Sequence, residues 1–246
     1  MSVVVPCYNE AHRLDCASFR AYLAEANCVR LIFVDDGSKD GTGALLNNIR
    51  AGYESRASVL HLDVNKGKGE AVRLGVLHAL REDDPHLVGF WDADLATPLS
   101  AIERFIQIFE RMPEIEMVFG SRVKLLGRQV KRDPRRHYMG RVFATVVSTM
   151  LELPIYDTQC GAKLFRVSSG IEDVLAAPFL SRWVFDVEML ARYRKEYRND
   201  TRRLERAIYE YPLEFWEDKA GSKVRPSDFV RAALDVYRIW STYLRR

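Results

Sequence analysis

Short apolar runs alternate with longer amphipathic segments through the first half of this chain. The apolar runs, at residues 3–5, 31–34, 59–62, 87–91 and 118–120, have the length of buried strands. The segments between them, at residues 18–26, 42–50, 69–80 and 100–111, have start signals or spacing typical of helices. This β-then-α order predicts an α/β fold with a mostly parallel, doubly wound, Rossmann-like sheet, which binds ligands at the carboxyl ends of its strands.

Acidic residues follow three of the predicted strands. Glu10 follows the first, Asp35 and Asp36 end the second, and Asp92 and Asp94 end the fourth. In an extended segment, side chains at i and i+2 point to the same side, so Asp92 and Asp94 would converge on one hard cation such as Mg2+ or Mn2+. The alternative for Asp92 and Asp94 is an acidic turn at a strand end. Asp35 and Asp36 either bind a base or ribose hydroxyls or form a capped turn before a helix.

Two glycine patterns restrict the nucleotide chemistry. Residues 6–10 lack the G-x-G-x-x-G turn of a dinucleotide fold, which argues against NAD and FAD. Residues 65–71 form a glycine-punctuated basic loop that enters a helix, and such a helix start with a nearby lysine suits phosphate oxygens. The loop lacks the spacing of a Walker motif, so an ATPase is not supported.

The second half has a different character. Residues 122–141 contain eight Lys or Arg and one acid, Asp133. This stretch is a solvated loop, a nucleic-acid patch or a membrane-facing surface; few aromatic residues accompany it, so a membrane surface is favoured over nucleic acid. Residues 227–244 place apolar side chains at helical spacing, and this amphipathic helix either lies on a membrane or packs on its own domain.

The composition is that of an ordinary globular protein. Of 246 residues, 48% are hydrophobic and 29% are charged, and the net charge is +3. The four cysteines form no C-x-x-C pair, which favours reduced cytosolic thiols. The start of the chain has no signal-peptide pattern, and the mostly apolar stretch at 142–151 is far short of the ~20 residues that a membrane span needs. We therefore expect a cytoplasmic protein, peripheral at the cytosolic face of a membrane.

Taken together, four segments resemble the inverting, GT-A-fold nucleotide-sugar glycosyltransferases of family 2. These segments are residues 5–10, 34–38, 65–69 and 92–94, in the family's order. Residues 120–122, 157–165, 182–188 and 221–223 are similar to the dolichyl-phosphate β-glucosyltransferase branch. The resemblance covers residues 2–225, which we take as a GT-A domain, with 226–246 as a C-terminal amphipathic helix.

The resemblance implies roles for individual residues. It implies nucleotide-sugar binding by Pro6, Tyr8, Glu10, Asp35, Asp36, Lys68, Asp92 and Ala93. It implies a metal, Mg2+ or Mn2+, on Asp92 and Asp94, and a catalytic set of Asp94, Arg122, Asp157, Arg136 and Arg141, in which the arginines meet the acceptor phosphate or the departing diphosphate. Asp157, Asp186 and Glu188 contact sugar hydroxyls, orient arginines or are structural. Ala96 stands where related mannose-transferring synthases have Gln, which leaves a third protein ligand to the metal in doubt.

The activity implied is transfer of glucose from UDP-glucose to a polyprenyl or dolichyl phosphate, which gives a β-linked lipid phosphate sugar. A phosphate acceptor is already anionic at neutral pH, so no dedicated base is needed. Within the same fold, the alternatives are GDP-mannose or a UDP-N-acetylhexosamine as donor, or a non-lipid sugar acceptor. An alternative outside the enzymes is a non-catalytic, membrane-recruited module that binds a nucleotide sugar. The expected partners are the donor, the lipid acceptor, a membrane surface and a membrane protein, with no nucleic acid.

Overall fold

The computed structural model describes residues 1–26, 28–131, 134–218 and 226–245. Within residues 134–139 and 226–230 it describes the backbone only. Its strands are β1 (Ser2–Cys7), β2 (Arg30–Asp35), β3 (Ala57–His61), β4 (Leu87–Trp91), β5 (Met117–Ser121), β6 (Gln129–Lys131), β7 (Ala162–Arg166), β8 (Ile208–Pro212) and β9 (Phe215–Glu217). Its helices are α1 (Cys16–Glu25), α2 (Thr42–Arg50), α3 (Lys68–Glu82), α4 (Ala101–Arg111), α5 (Pro134–Leu151), α6 (Ile171–Leu175), α7 (Phe185–Glu196), α8 (Thr201–Ala207) and α9 (Pro226–Ile239).

A central sheet has the order β3-β2-β1-β4-β7-β5-β8 over the described residues. The pairs from β3 to β4 and the pair β5–β8 are parallel, which confirms the predicted mostly parallel α/β sheet. The exception is β7, which runs antiparallel between β4 and β5. The alternation of apolar runs and helical segments did not predict β7. In the sheet, β7 lies between β4 and β5, which are consecutive strands in the predicted order.

Both faces of the sheet are buried. Along β1, Val4 packs into the cluster that contains helices α3 and α7, whereas Val3 and Val5 pack into the opposite cluster with Phe19 of α1 and Phe105 of α4. This alternation follows from the two-residue repeat of a strand, and burial on both faces explains why the strand sequences read as continuous apolar runs.

The basic stretch at 122–141 is not one loop. Its centre forms β6, which pairs with β9 in a small parallel sheet, and α5 already begins at Pro134, four residues before the predicted start at 138. Lys131 of β6 lies 3.2 Å from Glu217 of β9. Some of the basic residues of this stretch therefore lie in regular secondary structure, in β6 and α5. The side chains of residues 132 and 134–139 are outside the described part of the chain.

The C-terminal helix packs on its own domain. Ala232, Val236 and Ile239 of α9 are buried in the cluster that includes α7, and Asp235 accepts a hydrogen bond from the Ser181 hydroxyl at 2.8 Å. Beyond α9 a π-helical turn spans Trp240–Leu244. In the part of the chain that the structure describes, no helix combines the length and the apolar character that crossing a bilayer requires.

Gly89 of β4 is a position where the sheet leaves no room for a side chain. A Cβ there would lie 2.0 Å from the carbonyl oxygen of Lys163 and 2.8 Å from the Cα of Leu164 in β7. Because these atoms are backbone, we expect Gly89→Ala to push β4 and β7 apart and to lower the free energy of unfolding by about 2 kcal/mol or more, measured by urea denaturation.

The matched control is Gly41→Ala, where the nearest atom to the new Cβ would be 3.8 Å away. This variant should cost less than about 1 kcal/mol. Equal stability of the two variants would contradict the described pairing of β4 with β7.

Candidate active site

A cavity of about 590 Å³ lies at the carboxyl ends of β1, β2 and β4. Its polar lining includes Tyr8, Glu10, Asp36, Lys68, Asp92 and Asp94. Its apolar lining, the apolar wall, includes Trp183, Val184, Phe143 and Ala144 of α5, and Ala232 of α9. The structure thus brings acidic motifs from three strand ends together, as the parallel sheet predicted, and adds an apolar wall to them.

Asp92 and Asp94 reach the cavity from a turn. β4 ends at Trp91, and the N–H of Leu95 donates to the carbonyl of Asp92 at 3.2 Å. The buried Trp91 indole closes this turn by donating to the carbonyl of Thr97 at 2.8 Å. The predicted extended geometry is therefore wrong, because the chain leaves the sheet at Trp91, although both carboxylates line the same cavity, with Ala93 between them.

Gly161 determines how closely the chain approaches Asp92. The N–H of Asp92 donates to the carbonyl of Gly161 at 2.9 Å. A Cβ on residue 161 would lie 1.9 Å from Oδ2 of Asp92 and 2.1 Å from its Cγ, so the carboxylate occupies the space that a side chain would need. Only glycine permits this close approach.

Two cations face the paired carboxylates. Nζ of Lys68 lies 2.5 Å from Oδ1 of Asp92. Burial alone would lower the pKa of Lys68, but the charges of Asp92 and Asp186 outweigh it and raise that pKa. Arg13 also lines the cavity, where it pairs with Glu10, and its pKa is raised by that hydrogen bond and by the charges of Glu10, Asp94 and Asp92.

The donor set fits a hard cation. Asp92 and Asp94 offer oxygen ligands only, and burial together with the charge of Asp92 raises the pKa of Asp94, so additional positive charge would stabilise the ionised pair. Among the described residues, no group of three His, Cys, Asp or Glu side chains forms a metal site. A cation held here would take its remaining ligands from substrate oxygens and water.

Asp36 holds the glycine-punctuated loop at the edge of the cavity. Its carboxylate accepts hydrogen bonds from the N–H of Lys66 at 2.7 Å, the N–H of Gly67 at 2.8 Å and the side-chain amide of Asn65 at 2.9 Å. Burial raises the pKa of Asp36, and these backbone donors oppose that rise. Asp36 also lines the cavity, which is compatible with the predicted contact between Asp36 and the nucleotide sugar. That contact stays a prediction.

Asp35 is not among the described residues that line the cavity. Its Oδ1 accepts from the N–H of Ser38 at 3.0 Å, and its Oδ2 lies 3.1 Å from Nδ1 of His61. Adjacent side chains at the end of a strand point in opposite directions, so Asp35 turns away from the cavity that Asp36 lines. The geometry therefore gives no support to the prediction that Asp35 binds the nucleotide sugar, whereas Pro6, Tyr8 and Glu10 do line the cavity.

Arg122 and Asp157 form a bidentate ion pair in the wall of the cavity. Nε and Nη2 of Arg122 donate to the two carboxylate oxygens of Asp157 at 2.6 and 2.7 Å. The guanidinium lies 5.4 Å from the ring centre of Trp216. Burial alone would lower the pKa of Arg122, but Asp157 raises it above its ordinary value, so this side chain is a permanent cation in the cavity.

A second arginine lies nearby on α5. The guanidinium of Arg141 stacks over the ring of Tyr156 at 3.7 Å from its centre, and both residues line the cavity. Two of the three arginines that the sequence nominated are therefore in the site. The side chain of the third, Arg136, lies outside those described.

Asp186 and Glu188 are engaged in buried ion pairs. Asp186 lies 2.6 Å from Nζ of Lys163, and Glu188 lies 2.7 Å from Arg192. Neither is among the described residues that line the cavity. Their contacts fit the structural alternative left open for them.

Sequence reasoning missed several residues of the site. Arg13 was not nominated, although its spacing of three residues from Glu10 is a signal for an ion pair. Trp183 and Trp216 also line the cavity. Trp183 was part of the quoted segment 182–188 but was given no role, and no local pattern singled out Trp216. Gly161 was part of a quoted segment, but the contact that requires glycine there comes from a different strand end.

The sequence of this chain is similar to those of known glycosyltransferases. Residues 2–170 match the family described as Glycosyl transferase family 2. A dolichyl-phosphate beta-glucosyltransferase from Dictyostelium discoideum is 33% identical over 99% of this chain and 75% of its own length. One from Trichomonas vaginalis is 31% identical over 97% of this chain and 72% of its own length.

Solved structures share the fold. Glucosyl-3-phosphoglycerate synthase from Mycobacterium tuberculosis, in complex with Mn2+, uridine-diphosphate and glucosyl-3-phosphoglycerate, aligns with a TM-score of 0.67 at 19% identity, over 99% of this chain and 78% of that chain. The same enzyme with Mg2+ and uridine-diphosphate aligns with a TM-score of 0.64 at 20% identity, over 99% of this chain and 77% of that chain. The chain therefore belongs to glycosyl transferase family 2, as a GT-A-fold glycosyltransferase similar to the dolichyl-phosphate beta-glucosyltransferases.

Proposed function

We propose that this enzyme transfers glucose from UDP-glucose to a polyprenyl phosphate and inverts the anomeric configuration. The observation that carries the proposal is that one cavity combines three features: the Asp92–Asp94 turn, the cations Arg122 and Arg141, and an apolar wall on α5 and α9. The first suits a sugar diphosphate with its metal, the second suits a phosphate acceptor, and the third suits a lipid chain. The names of the similar glucosyltransferases support the same donor sugar and acceptor.

The reaction makes one bond and breaks one bond. An oxygen of the acceptor phosphate attacks C1 of glucose, and the bond from C1 to the diphosphate oxygen breaks, so UDP leaves with the electron pair. The phosphate monoester carries ~1.5 to 2 negative charges near neutral pH, and its oxygen therefore needs no general base. What the site must supply is alignment of the two substrates and stabilisation of the charge on the leaving diphosphate.

The residues of the site divide these tasks. Lys68 and Arg13 place positive charge beside the Asp92–Asp94 turn, where the diphosphate would lie. Mg2+ or Mn2+ held by Asp92 and Asp94 would supply further neutralisation of the leaving group. On the acceptor side, Asp157 fixes the guanidinium of Arg122 through Nε and Nη2, and the remaining N–H groups of the guanidinium are donors that suit phosphate oxygens.

Exposed apolar side chains on α5 and around the end of α9, two helices that contribute to the cavity lining, support a lipid acceptor. Val142 and Val146 of α5 are 68% and 55% exposed. They lie about one helical turn apart, and Phe143 and Ala144, which are between them in the sequence, line the cavity. Tyr237 and Trp240 are 61% and 37% exposed, with ring centres 5.9 Å apart. We propose that these residues place the enzyme peripherally at the cytosolic face of a membrane, which aligns the cavity with a lipid phosphate.

The acceptor class is tested by transfer of radiolabelled glucose from UDP-glucose in the presence of Mg2+ or Mn2+. With polyprenyl phosphate we expect a product that is extractable into organic solvent, with none from polyprenol, which lacks the anionic nucleophile. Phosphoglyceric acid should be a poor acceptor because it leaves the apolar wall empty. Efficient transfer to phosphoglyceric acid, with none to the lipid, would contradict the lipid proposal, and transfer from GDP-mannose alone would contradict the donor.

The metal ligands are tested with Asp94→Asn. This change removes one charge from the pair, so we expect kcat/KM for UDP-glucose to fall by at least about a hundredfold, as for loss of a group that stabilises the developing charge. The thermal shift that Mn2+ adds to UDP binding should also disappear.

The matched control is Asp63→Asn, since Asp63 is exposed and does not line the cavity. It should leave kcat/KM and the Mn2+-dependent shift unchanged. A full Mn2+ response in the Asp94 variant would show that the metal is held elsewhere or is not needed.

A further inference from the structure

Residues 156–161 form a loop, the 156–161 loop, that two charged side chains hold from the sheet. At its start, the N–H groups of Tyr156 and Asp157 donate to the carboxylate of Glu210 at 2.7 and 2.8 Å. At its end, the ammonium of Lys163 donates to the carbonyl oxygens of Thr158 and Cys160 at 3.0 and 2.5 Å. An anion thus satisfies two backbone donors at the start of the loop, and a cation satisfies two backbone acceptors nearer its end.

Glu210 reaches the loop from the sheet. It lies on β8, which pairs with β5, and its register partner there is Phe119. β5 ends at Ser121, directly before Arg122. Glu210 itself is not among the described residues that line the cavity, so any effect it has on substrate must pass through the residues it holds.

The two residues that Glu210 holds each contact one of the arginines that line the cavity. Asp157 binds Arg122 through both carboxylate oxygens, and the ring of Tyr156 supports the guanidinium of Arg141 at 3.7 Å. Both arginines line the cavity. One carboxylate therefore sets the backbone position on which the placement of two cations depends.

We propose that Glu210 is a positioning residue for the acceptor phosphate, because it fixes Tyr156 and Asp157 and through them aligns Arg141 and Arg122. The proposal rests on the proposed function, in which these arginines bind an anionic acceptor. The Asp92–Asp94 turn is reached from the other end of the 156–161 loop, through Gly161. Glu210 should therefore act on the acceptor and not on the nucleotide.

The chemistry of the side chain permits a sharp test with Glu210→Gln. A carboxylate accepts both N–H bonds, whereas a carboxamide of nearly the same shape has one oxygen and an NH2 group, which would face a backbone N–H. One of the two bonds is lost, and the backbone of residues 156–157 must shift. We expect KM for polyprenyl phosphate to rise by roughly tenfold or more, while KM for UDP-glucose and the dissociation constant of UDP stay within about twofold.

Three further variants make the result specific. Glu214→Gln changes an exposed carboxylate that pairs with Arg128 outside the cavity, and Glu116→Gln removes the charge from the group that accepts the Tyr197 hydroxyl, directly before β5. The first should be silent, and the second should lower stability without the selective rise in acceptor KM. In a double-mutant cycle with Asp157→Asn, the effects should be non-additive, since both changes act through Arg122.

The outcomes separate clearly. An acceptor KM within twofold of wild type, an equal loss of UDP affinity or additive effects in the cycle would overturn the role of Glu210. Thermal unfolding is measured first; should Glu210→Gln fail to fold, Glu210→Asp, which retains the charge but is shorter, must show the same selective rise in acceptor KM. A wild-type enzyme that transfers no glucose to polyprenyl phosphate would instead refute the proposed function, and the two failures are therefore distinguishable.

Discussion

The contact between Gly161 and Asp92 is the constraint on which the rest of the site depends. The Asp92 carboxylate occupies the space of an absent side chain, and the backbone of Asp92 donates to the carbonyl of Gly161. This contact ties the turn after β4 to the 156–161 loop, which precedes the antiparallel strand β7. The same loop carries Asp157, the partner of Arg122. The side of the cavity suited to a diphosphate and the side suited to an acceptor phosphate are therefore parts of one connected backbone.

Opposite charges behind the cavity keep that backbone in place. Lys163 is 1% exposed, and its ammonium is satisfied by Asp186 as well as by two loop carbonyls. A buried ammonium without such partners would lower the free energy of unfolding, so the two loop carbonyls and Asp186 must stay close to Lys163. Glu210 supplies the complementary anion at the start of the loop. A reaction that needs no general base depends mainly on alignment, which gives this rigid support a direct role in the chemistry that we propose.

Much of the fold was predictable because its signals are local. Apolar runs followed by helical segments specify a parallel α/β sheet, and the sheet in turn brings Glu10, Asp36 and the Asp92–Asp94 turn to one edge. The antiparallel β7 was not predictable, since its pairing depends on strands far away in the chain. Spacing also could not tell that Asp35 turns away while Asp36 lines the cavity, or that Glu210 supports a loop some fifty residues earlier. The roles of individual residues in binding and catalysis stay predictions.

The most direct test of this account is Gly161→Ala, measured as the dissociation constant of UDP with and without Mn2+ beside thermal unfolding. A methyl group there would meet the Asp92 carboxylate at 1.9 Å and displace it. The account predicts that Mn2+-dependent UDP affinity falls by roughly tenfold or more, a loss of about 1.4 kcal/mol, while the cooperative unfolding transition is retained. A Gly161→Ala enzyme that binds UDP and Mn2+ like wild type would contradict the claim that this contact organises the site.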